Sequence, residues 1–273
     1  MQLTRESLQK MINEAEAIVI GAGAGLSAAA GFEYGGKTFM DNFKYLYDEY
    51  GYTDMYSAGF HHFESLEEKW GYWAKMIYLN RYKSEAKPLY KTLYQYVKDK
   101  NYFVITTNVD HQFQLSGFDK KRLFYMQGDY GLFQCSDACH RKTYDNKESI
   151  MKMLNHIYQH RIPEDFIPKC PVCGKPMTTN LRCDDKFVED EGWTQAQKRY
   201  KEFIAKNREK RILYLELGVG YSTPVWIKYP FMNLTLSNPK AKYICIDNGY
   251  ISIPKELLPQ SYIFNDDINK IIY

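Results

Sequence analysis

A glycine-rich turn near the start of the chain constrains the fold more than any other stretch. Residues 17–20, Ala-Ile-Val-Ile, form an apolar run of strand length that leads into Gly-Ala-Gly-Ala-Gly-Leu-Ser over residues 21–27, with three alanines after it. Strand, glycine turn and helix in this order are typical of an α/β domain in which the turn brings the backbone close to nucleotide phosphates. Close packing alone also favours glycine in such a turn. The residues that we expect to contact the nucleotide here are Gly21, Ala22, Gly23, Gly25 and Ser27.

The turn does not match the best-known nucleotide motifs. The dehydrogenase fingerprint G-x-G-x-x-G fails by one position because Gly25 comes one residue too early for the third glycine. A dehydrogenase also has a second strand that ends in an acidic residue about 20 residues after the glycines, and residues 33–60 show no such strand. Residues 31–38, Gly-Phe-Glu-Tyr-Gly-Gly-Lys-Thr, do match the phosphate-loop pattern. That pattern must directly follow a strand, whereas the strand ends about ten residues earlier. A phosphate-loop NTPase therefore stays open as an alternative.

The rest of the chain supports a parallel sheet. Besides residues 17–20, short β-branched or aromatic runs occur at residues 102–106, 122–126, 212–217, 242–246 and 261–264. Helical patterns separate several of them, as at residues 88–98, and parallel strands need such crossovers. The predicted fold class is α/β, a Rossmann-like parallel sheet. Aromatic residues at spacings of three and four over residues 33–82 predict a small helical layer beside it.

Paired cysteines predict a metal site. Cys135 and Cys139 form a C-x3-C pair and Cys170 and Cys173 a C-x2-C pair, which together supply the four thiolates of a tetrahedral zinc. Four protein ligands leave the metal no open position, so the zinc should be structural. The three-residue spacing of the first pair leaves His140 as a possible substitute ligand. The two remaining cysteines are interpreted as core thiols: Cys183 and Cys245.

Charge and hydropathy exclude some functions. The formal net charge is +3 and no stretch concentrates Lys and Arg, so a nucleic-acid partner is not expected. The one long apolar-looking run, residues 17–32, holds four glycines and is too short to span a membrane. No export signal precedes it, and cysteines grouped for a metal suit a reducing compartment, so we expect a cytoplasmic protein.

Five motifs in order resemble the sirtuin family, and the resemblance covers essentially the whole chain. They are the turn at residues 21–27, Thr-Asn-Val-Asp at 107–110, Gln-Gly at 127–128 followed by the zinc cysteines, Leu-Gly-Val-Gly-Tyr-Ser-Thr-Pro at 217–224, and Ile-Cys-Ile-Asp-Asn at 244–248. The resemblance implies one catalytic domain over residues 1–273 that uses NAD as co-substrate. Its expected parts are Rossmann-like segments 1–32, 83–128 and 205–273, the helical layer 33–82 and the zinc module 129–204.

Two departures from the family pattern indicate a subgroup. Most sirtuins have His-Gly where this chain has Gln127-Gly128, and Ile-Pro-Asp-Phe-Arg where this chain has Phe-Glu-Tyr-Gly-Gly at residues 32–36. The same losses resemble the microbial macrodomain-linked sirtuins. That subgroup implies protein ADP-ribosylation rather than deacylation, typically of lipoylated carrier proteins, with a macrodomain hydrolase as a further partner. Glu33 or Tyr34 could replace the lost nicotinamide-side Asp.

The resemblance also assigns catalytic residues. Asn108 would contact the nicotinamide ribose and Asp110 would shape the same pocket, although Asn and Asp at strand ends also cap turns and helices. Gln127 is neutral and cannot take the proton that deacylation requires, but its amide can orient a ribose hydroxyl. His111 and Asp129 remain possible bases.

The adenosine end of the cofactor would lie at two later strand ends. Gly218 and Gly220 would let the backbone approach phosphate, and Asp247, followed by Asn248, would accept from ribose hydroxyls unless it only caps a turn. The predicted activity is NAD-dependent ADP-ribosyl transfer to protein, a glycosyl transfer that releases nicotinamide. Three alternatives stay open: a deacylase that uses another base, a catalytically silent NAD or ADP-ribose sensor, and the phosphate-loop NTPase.

Overall fold

The computed structural model describes residues 4–273, so residues 1–3 of the predicted segment 1–32 lie outside it. The chain forms two compact units. The first contains the described residues up to Gly31 together with Ala86–Gly128 and Glu191–Tyr273. The second contains Phe32–Glu85 and Asp129–Asp190.

The regular elements are as follows in chain order. The strands are β1 (Ala17–Ala22), β2 (Tyr102–Thr106), β3 (Leu123–Tyr125), β4 (Gly128–Cys135), β5 (Tyr144–Asp145), β6 (Met177–Leu181), β7 (Ile212–Leu217), β8 (Lys242–Ile246) and β9 (Ser261–Phe264). The α-helices are α1 (Arg5–Glu14), α2 (Ala24–Ala29), α3 (Gly36–Tyr50), α4 (Met55–Ala58), α5 (Leu66–Ile77), α6 (Pro88–Val97), α7 (Gln112–Leu115), α8 (Lys147–Leu154), α9 (Glu191–Asn207), α10 (Lys228–Leu236) and α11 (Asn269–Ile272).

The first unit is built on a six-stranded sheet in the order β3-β2-β1-β7-β8-β9, and all its neighbouring strands are parallel. The α/β prediction is confirmed, and each of the six predicted strands lies in this sheet. Strand β1 extends two residues beyond the predicted 17–20, because Gly21 and Ala22 still pair with both neighbouring strands. Every residue of β1 and β7 is buried, as expected for a parallel sheet that is covered on both faces.

Helices cover this sheet with the apolar faces that their sequences predict. Helix α6 matches the pattern at residues 88–98, with Leu89, Leu93 and Val97 in the core. Helix α9, which falls within the range 129–204 predicted for the zinc module, packs on β2 and β3 in the first unit. Its Trp193 donates a hydrogen bond from Nε1 to the Met126 carbonyl at 3.0 Å.

The second unit contains the predicted helical layer, with α3 to α5 and a π-helical turn at Tyr78–Tyr82. Of the aromatic residues that gave this segment its helical spacing, Phe39, Phe43 and Trp70 are buried in the core, whereas Tyr47 is 46% exposed. The cysteine segment also holds helix α8 and a small sheet in the order β5-β4-β6. Sequence periodicity missed this sheet because β4 is buried on both sides and so shows no apolar-polar alternation.

The phosphate-loop alternative is wrong. Gly31 follows helix α2 rather than a strand, and Lys37 lies on helix α3, where its ammonium pairs with Asp41 at 2.5 Å. A phosphate loop needs a strand immediately before its first glycine. Among residues 4–273, no helix is both long enough and apolar enough to cross a membrane.

Candidate functional site

The predicted nucleotide residues of the first unit follow the carboxyl ends of five adjacent strands. From β3 to β8 along the sheet these ends are followed by Gln127, Asn108, Gly23, Gly218 and Asp247. Neighbouring strands are about 4.8 Å apart, so the row spans about 19 Å, which suits an extended dinucleotide. Strand order reverses at β1, and α/β sheets bind ligands at such a reversal, at the carboxyl ends of their strands.

The glycines of the turn allow a close approach between β1 and β7. A Cβ on Gly23 would lie 2.5 Å from the Gly218 carbonyl oxygen, and one on Gly25 would lie 2.7 Å from the Gly218 Cα. Gly218 itself has a φ of +61° and would meet the Leu26 nitrogen at 2.4 Å. Gly21 lies inside β1, where Ile227 leaves no room for a side chain. These glycines therefore make the turn compact, as the packing interpretation of the motif requires.

Asn108 lies just beyond β2 and is held by its side chain. Its Nδ2 donates to the Gly23 carbonyl at 2.8 Å and to the Tyr90 hydroxyl at 3.3 Å. The side chain does not cap a turn, because these hydrogen bonds run to distant parts of the chain. Asn108 is half-buried, and its Oδ1 accepts no hydrogen bond from the described residues.

Asp110 and Ser27 form a buried pair behind Asn108. The Ser27 hydroxyl donates to Asp110 Oδ2 and is 3.1 Å from the Tyr90 hydroxyl, while Asp110 Oδ1 accepts from the Gln112 backbone N–H at 3.0 Å. Asp110 thus makes a turn hydrogen bond just before α7, whose N-cap residue is His111. Because the Ser27 proton is used on Asp110, this hydroxyl is not oriented as a donor to phosphate. Tyr90 was missed by the sequence analysis, because a tyrosine on the apolar face of a helix is indistinguishable from core packing.

Gln127 follows β3 and carries the least constrained side chain of the row. It is half-buried, and its amide has no partner among the described residues. Of the two proposed alternative bases, His111 is half-buried and starts α7 with a left-handed backbone, φ +66°. Asp129, in the second unit, is held by Arg81 Nε at 2.8 Å and by the Gly131 N–H at 2.7 Å. Within the second unit, the Asp129 carboxylate is thus held by a guanidinium and a backbone N–H.

The ends of β7 and β8 hold the residues predicted for phosphate and adenosine. Gly220 has open space around its Cα, in contrast to Gly218. Asp247 Oδ1 accepts from the Gly249 N–H at 2.7 Å, which is the turn-capping geometry, and its other carboxylate oxygen has no partner among the described residues. Asn248 is exposed.

A buried ion pair lies beneath the Gly218 turn and was not predicted. The Lys228 ammonium contacts the Glu216 carboxylate, and the two side chains are 1% and 0% exposed. Tyr243 donates its hydroxyl to Glu216 Oε2 at 2.6 Å, and Cys245 lies 3.4 Å from Oε1. Burial raises the pKa of the Glu216 carboxyl. Burial alone would lower the pKa of Lys228, but the negative groups beside it raise the pKa. The contact anchors α10 against β7.

The segment that replaces the family's Ile-Pro-Asp-Phe-Arg lies in the second unit. Glu33 is exposed, and its Oε2 accepts from the Thr38 hydroxyl at 2.8 Å in the first turn of α3. Tyr34 is half-buried, with its hydroxyl 3.2 Å from that of Tyr130. Glu33 therefore stabilises the start of α3, and Tyr34 packs against Tyr130 in this unit.

The four predicted cysteine ligands come together in the second unit. The Sγ atoms of Cys135, Cys139, Cys170 and Cys173 all lie within 4.8 Å of one another. The separations are 3.6 Å for Cys135–Cys173 and 3.7 Å for Cys139–Cys170. A tetrahedral zinc with bonds of about 2.3 Å places its sulfurs about 3.8 Å apart. The cluster fits structural zinc, and no open coordination position remains.

Local geometry explains this convergence. Gly174 takes a φ of +73° and donates its N–H to the Cys170 carbonyl at 2.8 Å, which closes the tight knuckle of the second pair. Burial raises the pKa of the Cys135 thiol, but hydrogen bonds from the backbone N–H groups of Cys139 and Asp137 and from the neighbouring thiols together lower the pKa to about 7. Burial and the neighbouring thiols raise the pKa of Cys139 instead. A thiol that ionises near neutral pH is suited to metal binding.

His140 does not displace a cysteine from the cluster. Its Nδ1 lies 3.0 Å from Cys139 Sγ, and its Nε2 lies 2.8 Å from the Tyr144 hydroxyl. The ring stands beside the four sulfurs rather than among them. Of the two remaining cysteines, Cys245 is buried as predicted, whereas Cys183 is exposed and not a core thiol.

Known proteins similar to this chain are named for ADP-ribosyl transfer. No family model matches the chain. The chain is 37% identical over 268 residues to a protein named protein ADP-ribosyltransferase from Staphylococcus aureus strain Mu50, covering 98% of this chain and 85% of that protein. It is 30% identical over 264 residues to a probable bifunctional ADP-ribose hydrolase/ADP-ribosyltransferase from Fusarium oxysporum f. sp. cubense, covering 92% of this chain and 43% of that protein. The chain thus spans less than half of this second relative.

Solved structures of Sir2 proteins share the fold. A Sir2 homologue variant in complex with 2′-O-acetyl ADP ribose superposes with a TM-score of 0.62 at 16% identity, covering 98% of this chain and 93% of that chain. A Sir2 complex with a p53 peptide and NAD⁺ gives a TM-score of 0.57 at 16% identity, covering 97% and 94%. Identities this low establish the architecture alone.

Proposed function

This chain belongs to the sirtuin family, and we propose that it is an NAD-dependent protein ADP-ribosyltransferase. The observation that carries the proposal is the pair of side chains after β2 and β3. Asn108 is held rigidly with a free carbonyl oxygen, whereas Gln127 has a free but neutral amide. The pair can bind and orient a ribose, but it offers no proton acceptor of the strength that deacylation requires.

The residues of the first unit have separate roles in this proposal. Asn108 and Gln127 would orient the nicotinamide ribose while the C1′–nitrogen bond breaks and its electron pair leaves with nicotinamide. An acceptor nucleophile then bonds to C1′ and loses its proton. The backbone at Gly23 and Gly220 would face the phosphates, and the free oxygen of Asp247 would accept from the adenosine ribose. The relative named protein ADP-ribosyltransferase supports the proposed transfer reaction.

Zinc has a structural role in the proposal. The cysteine cluster lies within the second unit, and four thiolates complete the coordination of a tetrahedral ion. The ion would join the end of β4 to the loops that carry the other three ligands, and no step of the transfer would use it.

The acceptor that we propose is a lipoylated carrier protein, and the proposed further partner is a macrodomain hydrolase that removes ADP-ribose. The resemblance to macrodomain-linked sirtuins supports both. The Fusarium relative, named as a probable bifunctional hydrolase and transferase, supports the pairing of the two activities. Thiolate ligation of a metal suits a reducing compartment, so we propose that the protein is cytoplasmic.

The test uses the purified protein with NAD and a lipoylated carrier protein. We expect mass spectrometry to find ADP-ribose on the carrier protein and free nicotinamide in the solution, while an acetyl-lysine peptide stays acetylated. Asn108→Ala should abolish the transfer, since loss of a group that positions the reacting ribose costs several kcal/mol of barrier. Gln127→Ala should weaken it by a smaller factor.

Three outcomes would redirect the proposal. Deacylation of the peptide at roughly 1 per second or faster would mean that another base replaces the family His. Binding of NAD without nicotinamide release would leave a sensor. Nicotinamide release without modification of the carrier protein would keep the transferase chemistry and exclude this acceptor.

A further inference from the structure

A chain of hydrogen bonds lies directly behind Asn108, entirely within the first unit. It runs from the Asn108 amide to the Tyr90 hydroxyl, then to the Ser27 hydroxyl, and ends at Asp110 Oδ2. Tyr90 is completely buried, and Ser27 and Asp110 are 5% and 3% exposed. Because water is excluded from the interior of this chain, each group must find its partner in the protein.

The buried carboxylate sets the direction of the whole chain. Ser27 donates its only proton to Asp110, so its oxygen is left to accept from Tyr90 at 3.1 Å. Tyr90 therefore donates its proton to Ser27, and its oxygen accepts from the Asn108 Nδ2 at 3.3 Å. Asp110 is fixed in turn by the Gln112 N–H on its other oxygen. Successive donors that point the same way strengthen one another.

The orientation of the Asn108 amide follows from this direction. One of its N–H groups donates to the Gly23 carbonyl at 2.8 Å and the other donates to Tyr90. The reversed amide would place Oδ1 against the Gly23 carbonyl oxygen, where two acceptors would repel each other. Oδ1 is consequently the free atom of the side chain.

We propose that Tyr90 is a positioning residue which, through this chain, presents Asn108 Oδ1 to the ligand as a hydrogen-bond acceptor. The inference rests on the proposed function. The matching ligand group is a donor, which on NAD is a hydroxyl of the nicotinamide ribose. The negative end of the amide dipole then also faces the site where positive charge develops as nicotinamide leaves, and it is oriented before the reaction starts.

The surroundings of Tyr90 suit such a role. Its ring packs edge-on against Phe113, with centroids 5.0 Å apart and an interplanar angle of 85°. Helix α6 supplies the backbone, and the ring belongs to the apolar core of the unit. The packed ring fixes the position of the hydroxyl oxygen, which therefore stays within hydrogen-bond distance of Ser27 and Asn108.

The test is Tyr90→Phe, which removes one oxygen and keeps the ring. The matched control is Tyr94→Phe, one helical turn later on α6, because the Tyr94 ring packs on Phe118 and its hydroxyl has no partner among the described residues. We expect kcat for nicotinamide release to fall about tenfold in Tyr90→Phe, the effect of one lost hydrogen bond, with the KM for NAD within about twofold. Tyr94→Phe should match the wild type.

A second measurement separates positioning from simple structural support. Ser27→Ala interrupts the same chain one step further on, so the double variant Tyr90→Phe/Ser27→Ala should be about as slow as the slower single variant. If the two substitutions damaged the structure independently, their separate effects on the activation free energy would instead add, and the double variant would be slower than either single variant. Should Tyr90→Phe fail to fold, Asp110→Asn replaces it, because an amide that donates to Ser27 reverses the chain without changing its shape. A kcat for Asp110→Asn equal to that of the wild type would overturn the inference.

The outcomes distinguish this inference from the proposed function. No NAD-dependent nicotinamide release by the wild type would overturn the proposed function. Normal release by the wild type with equal kcat for Tyr90→Phe and Tyr94→Phe would overturn only the role of Tyr90. Additive losses in the double variant would likewise show that no connected chain acts on Asn108.

Discussion

Each of the two units has its own kind of internal stabilisation. In the first, strands β1 and β7 are buried along their whole length, and one continuous apolar core joins the sheet to helices α1, α6 and α11. In the second, the segment 129–190 has one short α-helix and a small sheet. One cysteine at the end of β4 and three cysteines in loops bring their Sγ atoms within 4.8 Å of one another. The first unit is therefore stabilised by burial of apolar surface, whereas we expect the cysteine segment of the second unit to depend on a metal.

Removal of zinc should produce the largest difference in stability between the two units. Structural zinc in small modules contributes about 10–16 kcal/mol of binding free energy that is also folding free energy. We expect Cys170→Ser to lose the metal and to expose residues 129–190 to rapid amide hydrogen exchange, with β1, β2 and β7 still protected. Cys183→Ser, outside the cluster, should keep full zinc. Stoichiometric zinc in Cys170→Ser would contradict the four-thiolate site and would point to His140, near Cys139, as a ligand.

Within the first unit, the Lys228–Glu216 pair tests whether burial alone stabilises the sheet. Lys228→Met leaves a buried carboxylate without its cation, and such losses cost about 3–5 kcal/mol. Urea unfolding should show this decrease in the free energy of unfolding. Lys270→Met, which breaks an exposed pair with Asp266, should change it by at most about 1 kcal/mol. Equal effects for the two variants would show that the buried pair is not needed to hold α10.

The glycine turn provides the next test. Gly218→Ala would place a Cβ 2.4 Å from the Leu26 nitrogen in a left-handed backbone, for which strain and overpacking together cost roughly 2–5 kcal/mol. Gly220→Ala meets open space and should cost less than about 1 kcal/mol. Thermal unfolding of both variants measures the difference. If the two glycines prove equally replaceable, close packing of β7 against the turn is not what requires Gly218.

Ligand stabilisation should be the smallest effect and should be specific for NAD. A ligand at 100 times its Kd adds about 2.7 kcal/mol to the apparent stability of the native state. NAD should therefore raise the unfolding temperature, whereas ATP should not, and NADP should be weaker because Asp247 repels a 2′-phosphate. Asp247→Ala should reduce the difference between NAD and NADP. A shift with ATP and none with NAD would refute the dinucleotide site.

The strands and the metal ligands were predictable because their signals are local. Five of the six strands of the parallel sheet match their apolar runs within a residue at each end, and the sixth is longer only because its glycine turn begins in the sheet. The small sheet of the second unit was not predictable. Its strand β4 is buried on both faces and β5 is two residues long, so neither carries a period-two pattern.

The roles of the polar residues at the site could be predicted only in part. Asn108 and Gln127 were predicted because both follow a strand and match a motif, and their catalytic roles stay a prediction. Tyr90 lies 18 residues before Asn108, and Lys228 lies 12 residues after Glu216, so nothing in the local sequence connects them. A tyrosine among 25 and a lysine at a helix start have no distinguishing pattern.

By itself the sequence determined the parallel sheet, the glycine turn and the four zinc ligands, since apolar periodicity, glycine geometry and cysteine spacing each act over a few neighbouring residues. Only the tertiary structure decided which atoms of these residues are free. The Ser27 hydroxyl donates to Asp110, and the two N–H groups of the Asn108 amide donate to Gly23 and Tyr90 while its carbonyl oxygen stays free. The physical reason is that a hydrogen bond depends on the direction of each donor, and the fold sets that direction by bringing distant residues together.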